Sequence, residues 1–412
     1  MRLVLKRWIR SPVFIIAFAL FTFVRAYSSR HVLWTWVYVP VKMIYTHVQS
    51  PDVIWEKAAP AEEGFDENRL EILGRNLESR HTDAFLVVRG GRIIYEWYAL
   101  QTGANDEHYE SAMAKAVVAV PTVLVGLTDN RFSLDDPLSK YAPELKNDPL
   151  RSQIRIRDLL FHQSGLDDVD FNQAKQGKVD GWKKAYYEHR EKRFEYALFQ
   201  VPMLFQPGTR GQYSGIGYYA LAYAVTKALQ GAPESDIKTL FSKRIMEPLG
   251  IPKTDWSLSY GESYEFAGLK LYAFGSGADL SARAVARIGE LVLERGQWHG
   301  QRIFDARWLD DVLGRVEIGD PKHVSNHHGF ILNRNGRYAS LPLDAFFGEG
   351  GSHNVVLVVP SLDLVVVRNG ESLADPGEGY EDALEIHLFR PIIESIVGAG
   401  SRPARWGASE EG

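Results

Sequence analysis

The chain has 412 residues, 45% of them apolar and 24% charged, with a formal net charge of -5 and no cysteine. That length and balance suit a globular protein with room for a large core. No basic stripe with interleaved aromatics points to a nucleic-acid partner, and the lack of cysteine excludes disulfides, thiolate catalysis and Cys-based metal sites.

At the start of the chain, Arg2, Lys6, Arg7 and Arg10 precede the apolar run Val13 to Val24. A basic stretch before so short an apolar run resembles a signal segment, and a full membrane span needs about 20 apolar residues. The aromatic stretch that follows, with Trp34, Trp36, Tyr38 and Tyr45, is of the kind that favours a membrane interface. Arg25 fits a cleavage site ending at Ala26 poorly. Residues 1–48 are therefore expected to be a membrane anchor at the cytoplasmic membrane, with the catalytic domain periplasmic or extracellular; secretion after signal cleavage is the alternative. Residues 49–60 read as a linker, 61–400 as one domain and 401–412 as a tail.

Within the domain, Glu67 to Leu77 has a helical pattern. Ala84 to Val88 and Arg92 to Tyr98 read as strands joined by a Gly90-Gly91 turn, the signature of a hairpin. Met113 to Leu127 is apolar nearly throughout, which predicts a helix buried on all sides. From about 135 to 260 the chain shows helical patterns punctuated by Pro and Gly. Asn354 to Val359 and Leu362 to Val367 are β-branched-rich runs around Pro360-Ser361, a second hairpin, and a helix over Tyr380 to Val397 follows. Strands at both ends and helices between them predict an α+β fold, with the sheet assembled from the two chain ends and a helical region inserted.

Three stretches carry the chemistry. The first is AMAKAVVAVPTVLVGLTDNRFSLDDPLSKYAPEL followed by IRIRDLLFHQSGL, which holds Lys115, Asp135, Asp136, Pro137, His162, Ser164 and Gly165. The second, FQPGTRGQYSGIGYYALAYAVTKALQG with MEPLGIPKTDW after it, holds Pro207, Gly208, Tyr213, Ser214, Gly215 and Pro248-Leu249-Gly250. The third is FFGEGGSHNVVLVVPSLDLVVV, with Glu349, Gly350, Gly351 and His353. In this order they resemble the motifs of the β-lactamase-related serine hydrolases, a family of class C β-lactamases and penicillin-binding-protein-like esterases and amide hydrolases. The resemblance implies a β-lactamase/transpeptidase-like antiparallel sheet flanked by helices. It assigns Lys115 as the base and Tyr213 as its partner in proton transfer, and it gives His162 no part in the mechanism. A serine nucleophile needs a base at hydrogen-bond distance, and burial disfavours the charged form of a lysine, as a base requires.

One departure from the family pattern is decisive, and two others point the same way more softly. The family's Ser-x-x-Lys has its serine three residues before the lysine, where this chain has Ala112; Ser111 is one position earlier. Residues four apart on a helix are neighbours, so a Ser111–Lys115 hydrogen bond is feasible, although one helical step turns a side chain by about 100°. Glu349 stands where the family uses a cation for the substrate's carboxylate, and Gly215 replaces an asparagine that helps position substrate. Gly215, Glu349, Gly350 and Gly351 are the expected substrate-binding positions, and His353 is an alternative polar contact there or a loop histidine.

The expectation is a membrane-associated hydrolase of a small or peptide-like ester or amide, poor as a β-lactamase or transpeptidase, with Ser111 as nucleophile. The alternative is a pseudoenzyme that binds a ligand or cell-wall fragment without cleaving it, because Ala112 replaces the nucleophile. No cofactor is expected, and no metal: the twelve histidines show no HExxH spacing. Loop charges between Asp167 and Arg193 read as a solvated surface.

Overall fold

The computed structural model describes residues 55–100, 102–169, 174, 176–314, 329–398 and 400. The expected anchor and the tail lie outside them. Of the stretch read as a linker, residues 55–58 are already docked: Ile93 donates its N–H to the Glu56 carbonyl, and Ala58 donates to that of Ile93.

A six-stranded antiparallel sheet forms the centre. Its strands are β1 (Thr82–Arg89), β2 (Arg92–Tyr98), β3 (Ile331–Leu332), β4 (Phe346–Gly350), β5 (Asn354–Val359) and β6 (Leu364–Gly370), in the order β3-β4-β5-β6-β1-β2. The C-terminal hairpin thus pairs with the N-terminal one, with Phe85 opposite Arg368 and Val87 opposite Val366. The turn between β1 and β2 needs two residues with positive φ to match the strand twist, and Gly90 (63°) and Gly91 (76°) supply them.

Strand residues alternate between two buried faces, because successive side chains point to opposite sides. Ala84, Leu86, Val88, Val356, Val358, Val365 and Val367 pack into a cluster with the central helices. Phe85, Val87, Val355, Leu357, Val359, Leu364 and Val366 pack into a second cluster. The second face is covered by α1 (Glu67–Glu78). A run of three helical segments, Tyr380–Leu384, Glu385–Phe389 and Arg390–Glu394, covers it too. The first face is covered by α2 (Ser111–Thr128) and α4 (Ala282–Leu293), with α3 (Gly217–Ala228) in the helical region beyond. Among the described residues, α2 is long and apolar enough to cross a membrane, but 83% of it is buried within the fold. It is the core helix.

Two close approaches set the position of α2 on the sheet. A Cβ on Gly348 would lie 2.3 Å from the Ala116 methyl, and one on Gly350 would lie 2.2 Å from the Glu110 carbonyl oxygen. Only glycine lets β4 run so close to the start of the helix.

Candidate active site

The start of α2 is irregular, for a reason written in the sequence. Pro121 has no N–H to give the Val117 carbonyl, and a proline inside a helix disturbs the preceding turn. The turn Lys115–Ala119 is a π-helix, and Val120 donates to the Lys115 carbonyl. Such π turns gather at functional sites. Lys115, only 4% exposed, points into the helical region. Its Nζ donates to Tyr213 Oη at 2.7 Å and to the Gly275 carbonyl at 2.9 Å. It also lies 4.8 Å from the Tyr213 ring centroid and 5.1 Å from that of Tyr218. The Gly275 carbonyl reaches the amine because its backbone lies against the Tyr218 side chain, whose Cβ is 2.6 Å from where a Cβ on Gly275 would stand.

Tyr213 is held from behind by a buried histidine. His162 Nδ1 accepts the Ser214 N–H at 3.0 Å, and its ring lies 4.6 Å from that of Tyr213. Ser214 Oγ in turn accepts the Gly217 N–H at 3.0 Å, at the start of α3. His162 therefore positions the tyrosine segment and does not face Lys115 with a hydrogen bond among the described residues.

Ser111 is not joined to this pair. It opens a 3-10 turn, Ser111–Met113, with φ at +51°, a region that costs a side-chain-bearing residue energy. Its Oγ lies 3.1 Å from where a Cβ on Gly351 would be. No hydrogen bond links it to Lys115 or Tyr213 among the described residues. The neighbour rule behind the Ser111–Lys115 contact assumes regular helix from one residue to the other. Here the left-handed Ser111 and the 3-10 turn break that geometry and aim the hydroxyl at the end of β4. Ala112, the next residue, offers only a methyl group.

A carboxylate missed in the sequence lies near enough for the Lys115 charge to act on it. Asp168 Oδ1 accepts the Ile216 N–H at 3.3 Å and lies 3.5 Å from where a Cβ on Gly215 would be. Burial pushes this carboxyl up to about 6, against the opposing pull of Lys115 and of backbone N–H groups at Val169, Ile216 and Gly215. Nothing in the loop's run of charges marked it: Asp167, its neighbour, forms an ordinary ion pair with Lys183 at 3.5 Å. Only its burial against the Gly215–Ile216 backbone, seen in three dimensions, singles it out.

Glu349 is corrected. Along β4, Gly348 and Gly350 face α2, so Phe347 and Glu349 face the other side, where Phe347 joins the second cluster. There the Glu349 charge acts on Arg337, Tyr338 and Tyr380. The two-residue period of the strand sends its side chain away from Lys115. Gly350 and Gly351, by contrast, line the approach to Glu110 and Ser111. His353 is neither a contact to substrate nor a loop residue in solvent. It is 1% exposed, stacks on Tyr380 with ring centroids 3.7 Å apart, and accepts the Leu373 N–H at Nδ1. Burial holds it down to about 4, so it is neutral at pH 7.

Behind Ser111, Glu110 is fully buried and accepts from Asn369 Nδ2 at 2.9 Å. Burial pushes its carboxyl well above the usual range. Asp375, Glu378 and His387 bring ligand atoms within 4.8 Å of one another. Their side chains already have partners: Asp375 pairs with Arg80 at 2.9 Å, and Glu378 and His387 pair with each other at 3.0 Å.

A buried lysine on the central helix, bonded to a tyrosine from the segment before α3, beside a sheet built from both chain ends, defines a penicillin-recognising type of hydrolase scaffold. The sequence matches the Beta-lactamase family over residues 73–389, and the chain belongs to that family. Among its relatives is the 6-aminohexanoate-dimer hydrolase of Paenarthrobacter ureafaciens, 24% identical over 272 residues, 64% of each chain. Another is the lovastatin esterase of Penicillium rubens, 28% identical over 218 residues, 48% of this chain and 52% of the relative. The chain thus spans under two thirds of the length of these relatives. In structure, it resembles a penicillin-binding protein homologue from Caulobacter crescentus, with a TM-score of 0.59 at 15% identity over 80% of this chain and 99% of that one.

Proposed function

We propose that the chain hydrolyses an ester or amide bond, with Lys115 and Tyr213 as the proton-transfer pair and Ser111 as the nucleophile. The observation that carries this reading is the 2.7 Å contact between Lys115 Nζ and Tyr213 Oη, backed by the Gly275 carbonyl. In such a reaction the Ser111 oxygen attacks the substrate carbonyl and its proton passes to the Lys115–Tyr213 pair. That proton is then delivered to the leaving alcohol or amine, and water resolves the acyl intermediate by the same route. For attack, the hydroxyl has to swing from Gly351 toward Lys115. Relatives named as an amide hydrolase and an esterase support the reaction class. The Asp168 charge, which acts on Lys115, favours a neutral or cationic substrate over the carboxylate-bearing ones of β-lactamases and transpeptidases, since like charges in a sheltered cleft repel. The N-terminal segment would tether the enzyme to the membrane.

A second reading has a specific observation behind it. Ser111 makes no hydrogen bond to the pair among the described residues, and Ala112 stands at the family's nucleophile position, which favours a protein that binds a ligand without cleaving it. Labelling with a fluorophosphonate separates the two. Labelling of the natural protein that disappears in Ser111→Ala supports hydrolysis. No labelling of the natural protein, with labelling gained in Ala112→Ser, sinks the hydrolase reading in favour of the second.

A further inference from the structure

A second concavity, of about 680 Å³, is lined by Trp55, Trp298, Arg287, Glu56, Glu290 and Glu294 among others. None of the residues around Lys115 lines it. Arg287 lies on α4, is 8% exposed and has its Cζ 4.9 Å from the Trp55 ring centroid and 6.0 Å from that of Trp298. Trp55 is itself fixed by donating Nε1–H to the Gly91 carbonyl at 2.9 Å.

The guanidinium is under-satisfied. Of its five N–H donors, one reaches the Leu249 carbonyl, and no carboxylate lies within ion-pair distance among the described residues. Arg283, one turn earlier on the same helix, pairs with Glu96 at 2.6 Å. Arg368, buried like Arg287, bonds Thr82 and the carbonyls of Ser352, His353 and Arg80. A buried cation without acceptors is costly unless something supplies them. Burial, with the Arg283 charge second, holds Arg287 down to about 10, and no glutamate of the cavity wall offsets it.

The geometry points to a binding site for a small organic monocarboxylate, its carboxylate on Arg287 and its flat or apolar body against Trp55 and Trp298. A guanidinium fork matches a carboxylate in two parallel hydrogen bonds, and aromatic walls with few polar anchors are what small-molecule sites are made of. The three glutamates of the wall repel any anion, a dianion such as a phosphate monoester most, so a monocarboxylate binds only with its oxygens directly on Arg287. This inference stands apart from the hydrolase reading and does not rest on it.

Isothermal titration of the full chain with benzoate, benzyl alcohol and phenyl phosphate tests it. Benzoate is expected to bind one per chain, at least tenfold more tightly than either of the other two. Arg287→Met should weaken benzoate at least tenfold, and Lys115→Ala should leave it within twofold, which separates this cavity from the one at Lys115. Absence of benzoate binding, equal affinity for benzyl alcohol, tighter phenyl phosphate, loss of binding in Lys115→Ala or unchanged binding in Arg287→Met each overturns the assignment. Should Arg287→Met fail to fold, Trp298→Leu with the three probes serves in its place, with the same tenfold loss expected.

Discussion

Asp168 borders Gly215: its Oδ1 stands 3.5 Å from the point where a Cβ on Gly215 would be, an ordinary contact distance. An amide can donate or accept, whereas an ionised carboxylate only accepts. Under the proposed function, this carboxylate favours a ligand that offers it an N–H, an O–H or a cation.

This exchange has a pH signature in stability. Asp168 is raised from 3.8 to about 6, so the folded state holds its proton more firmly than the unfolded chain. The resulting stabilisation is complete below about pH 4 and is lost as pH rises through about 6. Asp168→Asn should therefore gain up to about 3 kcal/mol relative to the natural protein at pH 7.5, at 1.36 kcal/mol per pKa unit. That gain should shrink to nothing near pH 4. Urea denaturation at the two pH values checks this, and an equal difference at both would contradict it.

Removing either partner of the proton-transfer pair distinguishes chemistry from binding. If the chain is a hydrolase, Tyr213→Phe and Lys115→Ala should each lower turnover of a short-chain chromogenic ester by roughly 100-fold or more, the usual scale for general acid–base groups. His162→Ala acts only through the Tyr213 segment and should cost less. A Tyr213→Phe variant with undiminished turnover would remove Tyr213 from the mechanism.

The buried acid behind the site makes a different prediction. Burial pushes the Glu110 carboxyl well above its unfolded value of 4.5, so the folded state keeps a proton that the unfolded chain gives up as pH rises past that value. The natural protein should therefore lose stability from there upward, and Glu110→Gln should be the more stable of the two at pH 7, with no gain near pH 4. Thermal melts at pH 4 and 7 measure the difference, and a gain of the same size at both would refute it.

The helix–strand approach can be tested by adding one carbon. Gly348→Ala places a methyl 2.3 Å from Ala116, and overpacking of this kind costs about 1–3 kcal/mol. A fall of that size in urea denaturation is expected. No fall would mean that β4 and α2 yield freely.

Much of the scaffold was legible because it follows from periodicity. The apolar run Met113 to Leu127 specified a core helix, and Gly90-Gly91 specified its hairpin. The C-terminal β-branched runs gave β5 and β6, whose strands lie at Asn354–Val359 and Leu364–Gly370. Lys115 and Tyr213 meet across 98 residues, a contact carried by motif resemblance and not by local pattern. Three features escaped the sequence. The side-chain direction of Glu349 depends on strand phase, and a one-residue change of phase reverses it. The hydroxyl of Ser111 depends on a positive φ that serine rarely adopts. Asp168 depends on the backbone of Gly215 and Ile216 folding over it, and a contact across that distance in sequence has no local signal.

The pairing of β1 with β6 joins residues about 280 positions apart, as with Phe85 and Arg368. During synthesis β1 therefore lacks this neighbour until about 280 further residues have been made, and long-range pairing of this sort is slow to form. For that interval β1 is an unprotected edge, open to pairing with another nascent chain. Productive maturation therefore depends on keeping the hairpin of β1 and β2 from such encounters until the last strand arrives.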